Sequence, residues 1–93
     1  MTKTPLFPLG KLVATPGALE VLAASNQTPT DFLGRHVRGD WGDLSAGDRQ
    51  INDEAITEGS RIFSAYRTAT GAKIWIITEA DRSVTTILLP GDY

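Results

Sequence analysis

Between His36 and Asp43 the chain reads HVRGDWGD, which concentrates more chemistry than any other stretch of its length. It holds the single histidine, one of two tryptophans and two aspartates, and Arg35 stands directly before it. A histidine titrates near neutrality, so His36 is a candidate general base, proton donor or metal ligand. Asp40, four residues on, is placed to orient the imidazole. Arg35 and Arg38 are candidate clamps for a phosphate or carboxylate. Trp41 and Asp43, with Arg82 further along the chain, complete the candidate binding set. A purely structural reading competes: a histidine near a helix C-terminus is favoured by the helix dipole, and Trp41 can plug the seam between helices and sheet.

A second group lies further along. Tyr66, Arg67, Thr78, Glu79, Arg82, Thr85 and Thr86 are polar positions on or beside apolar strands. Metal-independent RNA cleavage needs a base for the 2′-hydroxyl, a donor for the leaving oxygen and a cation for the phosphorane. His36 or Glu79 with Arg67 and Arg82 would supply those types. The competing reading is that threonines are good strand formers and that arginines end strands in water. A metal site has little to stand on: the aspartates Asp40, Asp43, Asp48 and Asp53 match no calcium-loop spacing. With no cysteine there is neither a disulfide framework nor a thiolate ligand. No cofactor is implied, since no phosphate-binding glycine loop or nucleophile elbow occurs.

The elements that must position these residues follow from punctuation and periodicity. Ninety-three residues make one domain. Residues 1–8, with Pro5 and Pro8, read as a flexible arm, and residues 9–93 as the folded body. Leu9–Ala14 is a candidate short strand. Thr15-Pro16 starts a helix to about Ser25, with Ala18, Leu19, Leu22 and Ala23 as its buried stripe. Thr28-Pro29, with Asp31 completing a capping box, starts a second that carries Phe32, Leu33 and Val37 and stops at Gly39. Ser45 and Asp48 cap a third from Ala46 to Glu58, whose apolar positions are Ile51, Ala55 and Ile56 and whose wide face is acidic. Three strands follow: Arg61–Thr68, Ala72–Glu79 and Ser83–Leu89. On the middle one Ile74, Ile76 and Thr78 face one way, and Lys73, Trp75, Ile77 and Glu79 the other. The expected fold is α+β, about three N-terminal helices packed on a C-terminal three-stranded antiparallel meander, with a short N-terminal strand as an optional addition. One sheet face carries the helices; the other is open, or covered by the arm or a second subunit.

Charge narrows the function classes. A net charge of −2 supplies no bulk attraction to nucleic acid or anionic membrane, though a local basic patch remains compatible with it. No apolar run approaches the roughly 18 residues that span a bilayer. The N-terminal decapeptide lacks a signal-peptide core. The expectation is a soluble cytoplasmic protein that contacts no membrane. Its partner is a protein or a nucleic acid, and a homodimer through a sheet face or edge is one option.

Two segments together are similar to a known family. RHVRGDWGDL with DRQIND, then SAYRT and KIWIITEADRSVTTILLP, resemble a family of small bacterial proteins known as plasmid-related, over roughly residues 9 to 90. The resemblance implies a link to mobile elements and no particular mechanism. A more distant likeness is to the barnase, colicin and RelE-type ribonuclease superfamily, which also sets helices before an antiparallel meander. That likeness implies catalytic roles for His36, Arg67 and Thr85. The chain departs from it in its acidic net charge and in lacking a second histidine. The leading expectation is therefore a non-catalytic accessory protein that binds a macromolecule, with a ribonuclease-like enzyme as the alternative.

Overall fold

A computed structural model describes residues 5–93. Strand β1 (Lys11–Ala14) leads into helix α1 (Pro16–Ala24), α2 (Pro29–His36) and α3 (Ala46–Glu58). Strands β2 (Ile62–Arg67), β3 (Lys73–Thr78) and β4 (Val84–Leu88) follow, then a single 3-10 turn, Pro90–Asp92. The sheet order is β1-β4-β3-β2. The three C-terminal strands form the expected antiparallel meander, but β1 joins β4 in parallel, so the sheet is four-stranded and mixed. Gly10 makes the addition feasible. Its φ of +66° brings the chain so close to Arg82 and Ser83 that a Cβ would sit 2.4 Å from their carbonyl oxygens, and Lys11 N–H then donates to Ser83 (2.9 Å).

The helix starts follow the capping chemistry. Thr15 Oγ1 accepts from Ala18 N–H (3.2 Å) and donates to Asp92 (2.7 Å), tying the start of α1 to the end of the chain. Asp31 accepts from Thr28 N–H (2.8 Å) at α2, and Ser45 from Asp48 N–H (3.2 Å) at α3. Gly59, at φ +77°, closes α3 in the left-handed conformation.

All three helices lie on one face of the sheet, over two apolar clusters. Ala18, Leu22, Phe32, Leu33, Tyr66, Ile74, Ile76 and Ile87 form one; Phe7, Trp41, Ala55 and Ile62 form the other. Phe7 belongs to the expected arm. Residues 1–4 of that arm lie outside the described residues, while Phe7 is buried and Leu6 N–H donates to the Val37 carbonyl (2.8 Å). Two expected helix stripes need correction. On α1 only Ala18 and Leu22 are buried, and Leu19 is 48% exposed. On α3 Ile51 is 60% exposed, and Asn52 takes the buried place beside Ala55.

Asn52 is inside because it finishes the sheet. Its amide donates to the Phe63 carbonyl (2.6 Å) and accepts from Phe63 N–H (3.1 Å), replacing a neighbouring strand on the open side of β2. Two residues along, Ala65 receives the same service from the turn: its N–H donates to Trp41 (3.2 Å) and its carbonyl accepts from Asp43 N–H (2.7 Å). Gly42 sits at the contact, at φ +74°, where a Cβ would lie 1.9 Å from the Ala65 oxygen. The β2 edge is thereby closed to further pairing.

Candidate functional site

His36 ends α2 and points straight into the protein, where it has no solvent exposure. Its ring meets Phe7 and Trp41 edge-on, with centroids 5.2 and 5.9 Å away. Nδ1 contacts Ser64 Oγ and Nε2 lies 2.9 Å from Thr78 Oγ1. Thr78 Oγ1 is 2.8 Å from Thr85 Oγ1, which donates to the Leu9 carbonyl (2.8 Å).

That last bond orders the protons along the whole chain. A carbonyl only accepts, so the Thr85 hydroxyl hydrogen is committed to Leu9. Thr78 must then donate to Thr85, His36 Nε2–H to Thr78, and the Ser64 hydroxyl to Nδ1. The imidazole is the neutral Nε2–H tautomer, with both nitrogens satisfied. Burial lowers its pKa from 6.5 to about 4. Among the described residues every buried side-chain nitrogen and oxygen has a partner. The pair His36–Ser64 has the members of a catalytic dyad, yet neither is open to a substrate: Ser64 is also fully buried.

The other expected site residues are mostly engaged with one another. Asp40 does not orient the imidazole; it pairs with Arg35, which donates through Nε (2.7 Å) and Nη2 (3.3 Å). Each partner shifts the other: the hydrogen bond holds the Asp40 carboxyl below its usual range and raises the Arg35 guanidinium. The Arg35 guanidinium also lies over the Tyr66 ring, 4.5 Å from its centroid. Tyr66 donates its hydroxyl to the Asp40 carbonyl (2.6 Å), and burial pushes its pKa up to about 12. Trp41 is buried and donates Nε1–H to Asp53 (3.0 Å). Arg38 is exposed along Gly34. Arg82, expected to bind a ligand, instead binds carbonyls: Ser60 (2.6 Å), Ala55 (2.9 Å), Glu79 (3.1 Å) and Ala80 (3.2 Å), clasping the C-terminal end of α3. Thr85 is sealed in the histidine network.

Arg67 departs from this group altogether. Alternation along β2 and β3 places Phe63, Ala65, Arg67, Lys73, Trp75 and Ile77 on the sheet face opposite the helices. The sheet therefore separates Arg67 from His36 and Thr85, and the three do not converge. What Arg67 does join is a groove of about 470 Å³ lined by Asp43, Leu44, Phe63, Ala65, Tyr66, Arg67, Lys73 and Trp75. Phe63 and Trp75 meet edge-on at 5.1 Å, and Tyr93 meets Trp75 edge-on at 5.9 Å. A second concavity of about 150 Å³ continues past Ile77 and Leu88 to Arg61, Glu79 and Tyr93.

The rim of the larger groove is cationic. Arg67 and Lys73 stand directly opposite one another in the register. Like charges in that position repel unless something anionic lies between or beside them. Asp43 offers one carboxylate, 3.4 Å from Arg67, with both side chains more than half exposed. Lys73 has no ion-pair partner among the described residues. Trp75 and the two cations thus stand together along one groove of the outer face.

The sequence reading placed Arg67 and Asp43 in its candidate sets but passed over Phe63, Lys73 and Trp75, although the alternation of β3 had already put Lys73 and Trp75 on the open face. Ser64 and Asn52 were also missed. Their one signal is a small polar residue at an inward position, which sequence alone does not separate from a solvent-facing one.

No family model matches the chain, and neither the curated proteins nor the solved structures contain a match to it.

Proposed function

We propose that the protein is a non-catalytic binding module, that the outer face of its sheet is its working surface, and that its partner is a single-stranded nucleic acid. The observation that carries this reading is the groove in which a partly exposed Trp75, packed against Phe63, lies next to the cross-strand cations Arg67 and Lys73. Single strands are bound by aromatic platforms that stack bases and by cations that take the adjoining phosphates. The local charge, not the net charge of −2, decides the contact at this range, because screening limits exposed charges to about 8–10 Å. The helix-side residues support the same reading from the other direction: His36 is neutral and enclosed, and Arg35 with Asp40 and Arg82 are occupied in holding the fold. The proposal extends to an accessory role in a mobile element, which is what the sequence resemblance implies.

Fluorescence reports on the groove directly, because Trp41 is buried and Trp75 is not. Titration with short oligo-U or oligo-dT is expected to quench Trp75 and raise the anisotropy of a labelled strand. Trp75→Ala should weaken binding by about 1–3 kcal/mol, the worth of one stacked base. Arg67→Glu with Lys73→Glu should abolish it. Two phosphate contacts set a log–log salt slope of about −1.4. No anisotropy change with either oligomer up to about 10⁻⁴ M, the weak end of non-specific affinity, would remove nucleic acid as the partner.

A further inference from the structure

The two edges of the sheet are treated differently. On β2 the outward backbone groups of Phe63 and Ala65 are taken by Asn52 and by the Trp41–Asp43 turn. Nothing among the described residues does this for β1. Lys11 and Thr15 turn their N–H groups to β4, at Ser83 and Ile87, so alternation turns those of Leu12 and Ala14 outward. Leu12 is 53% and Val13 41% exposed.

Helix α1 follows β1 directly and packs over its neighbour β4. Its sequence, PGALEVLAA, is apolar all round except for Glu20, and Leu19, Ala23 and Ala24 are exposed. A helix with that composition normally has cover on more than one side. Residues 9–25 hold two charged side chains, Lys11 and Glu20, of opposite sign.

We propose that β1 and α1 form a two-fold interface with a second copy of this chain, in which β1 pairs antiparallel with its counterpart. The register is set by the outward groups. Leu12 of each copy exchanges backbone hydrogen bonds with Ala14 of the other, and Val13 meets Val13 on the axis. Lys11 then lies opposite Thr15, so no like charges face each other across the strands. The surface is self-complementary, as a two-fold contact requires, and its two charges stay apart, Lys11 on the outer face of the sheet with Val13 and Glu20 on α1 over the inner face. Four residues of strand alone bury less than the roughly 1,200 Å² of a stable interface, so the exposed side of α1 belongs to the contact. The result is one eight-stranded sheet, closed at both ends by Asn52 and the Trp41–Asp43 turn.

Sedimentation equilibrium and amide exchange test this without any nucleic acid, so the outcome is independent of the partner assigned to the groove. The wild-type chain should sediment at twice the 10.0 kDa monomer mass and dissociate on dilution. Val13→Lys places two like charges on the axis and should raise the dimer dissociation constant by about tenfold or more, with an unchanged circular dichroism spectrum. The Leu12 and Ala14 amides should be protected in the wild type in proportion to its concentration, a readout that survives even if the variant fails to fold. A monomer at all concentrations would overturn the proposal. So would protection of those amides that does not depend on concentration, which means that the chain covers its own edge, or a dimer that Val13→Lys leaves intact.

Discussion

His36 acts by being neutral. Its ordered chain of bonds, Ser64 to His36 to Thr78 to Thr85 to Leu9, leaves no place for a second ring proton unless the Ser64 hydroxyl turns round. With a folded pKa of about 4 against 6.5 unfolded, the unfolded chain binds a proton that the fold refuses. Stability from this residue is complete above pH 6.5 and is lost as pH falls toward 4, by about 3 kcal/mol in all. Urea denaturation at pH 7 and pH 4 should show that loss, and His36→Gln should remove most of the histidine's share of it. Nitrogen-15 spectra of the ring should report an Nε2–H tautomer that stays unprotonated to about pH 4; titration near 6.5 would contradict the buried network. The identity of the residue was legible as a point of interest in the sequence. Its role was not, because the deciding partners, Ser64 and Thr78, lie 28 and 42 residues away.

At the scale of elements, the helices and the meander were readable because local chemistry marks them: Thr-Pro starts, capping carboxylates, glycine stops and period-two strands. What local chemistry does not mark is who pairs with whom. β1 was expected as an optional strand, and its parallel pairing with β4 depends on the approach of Gly10 to Arg82 and Ser83 across the whole chain. Asn52 looked like part of a solvated helix face, yet it substitutes for a strand. Asn52→Ala should cost about 1–3 kcal/mol in urea denaturation by leaving Phe63 N–H and carbonyl unpaired, and should speed exchange of the Phe63 amide. An unchanged midpoint would mean that water satisfies those groups equally well. The stripes of α1 and α3 were overdrawn for a related reason: apolar spacing tells which residues share a face, not how much of that face another element reaches, and Leu19 and Ile51 are left outside.

Over the whole molecule, the sheet divides two tasks. Its inner face, under three helices, holds the histidine network and both apolar clusters. Its outer face holds aromatics and cations, and among the described residues none of α1, α2 and α3 lies above them. In the proposed two-fold assembly the two grooves lie on the same broad face, roughly 30 Å apart at about 4.8 Å per strand. A single strand long enough to reach both would gain affinity through effective concentration without any new contact. Everything functional in this account depends on which face meets the partner. Backbone amide spectra recorded during titration with a short oligo-U strand answer that residue by residue. Shifts concentrated at Phe63, Ala65, Arg67, Lys73 and Trp75, with Ser64 and Thr78 unmoved, are the predicted result. Shifts centred on His36 and the Asp40–Asp43 turn, with the outer face silent, would contradict it.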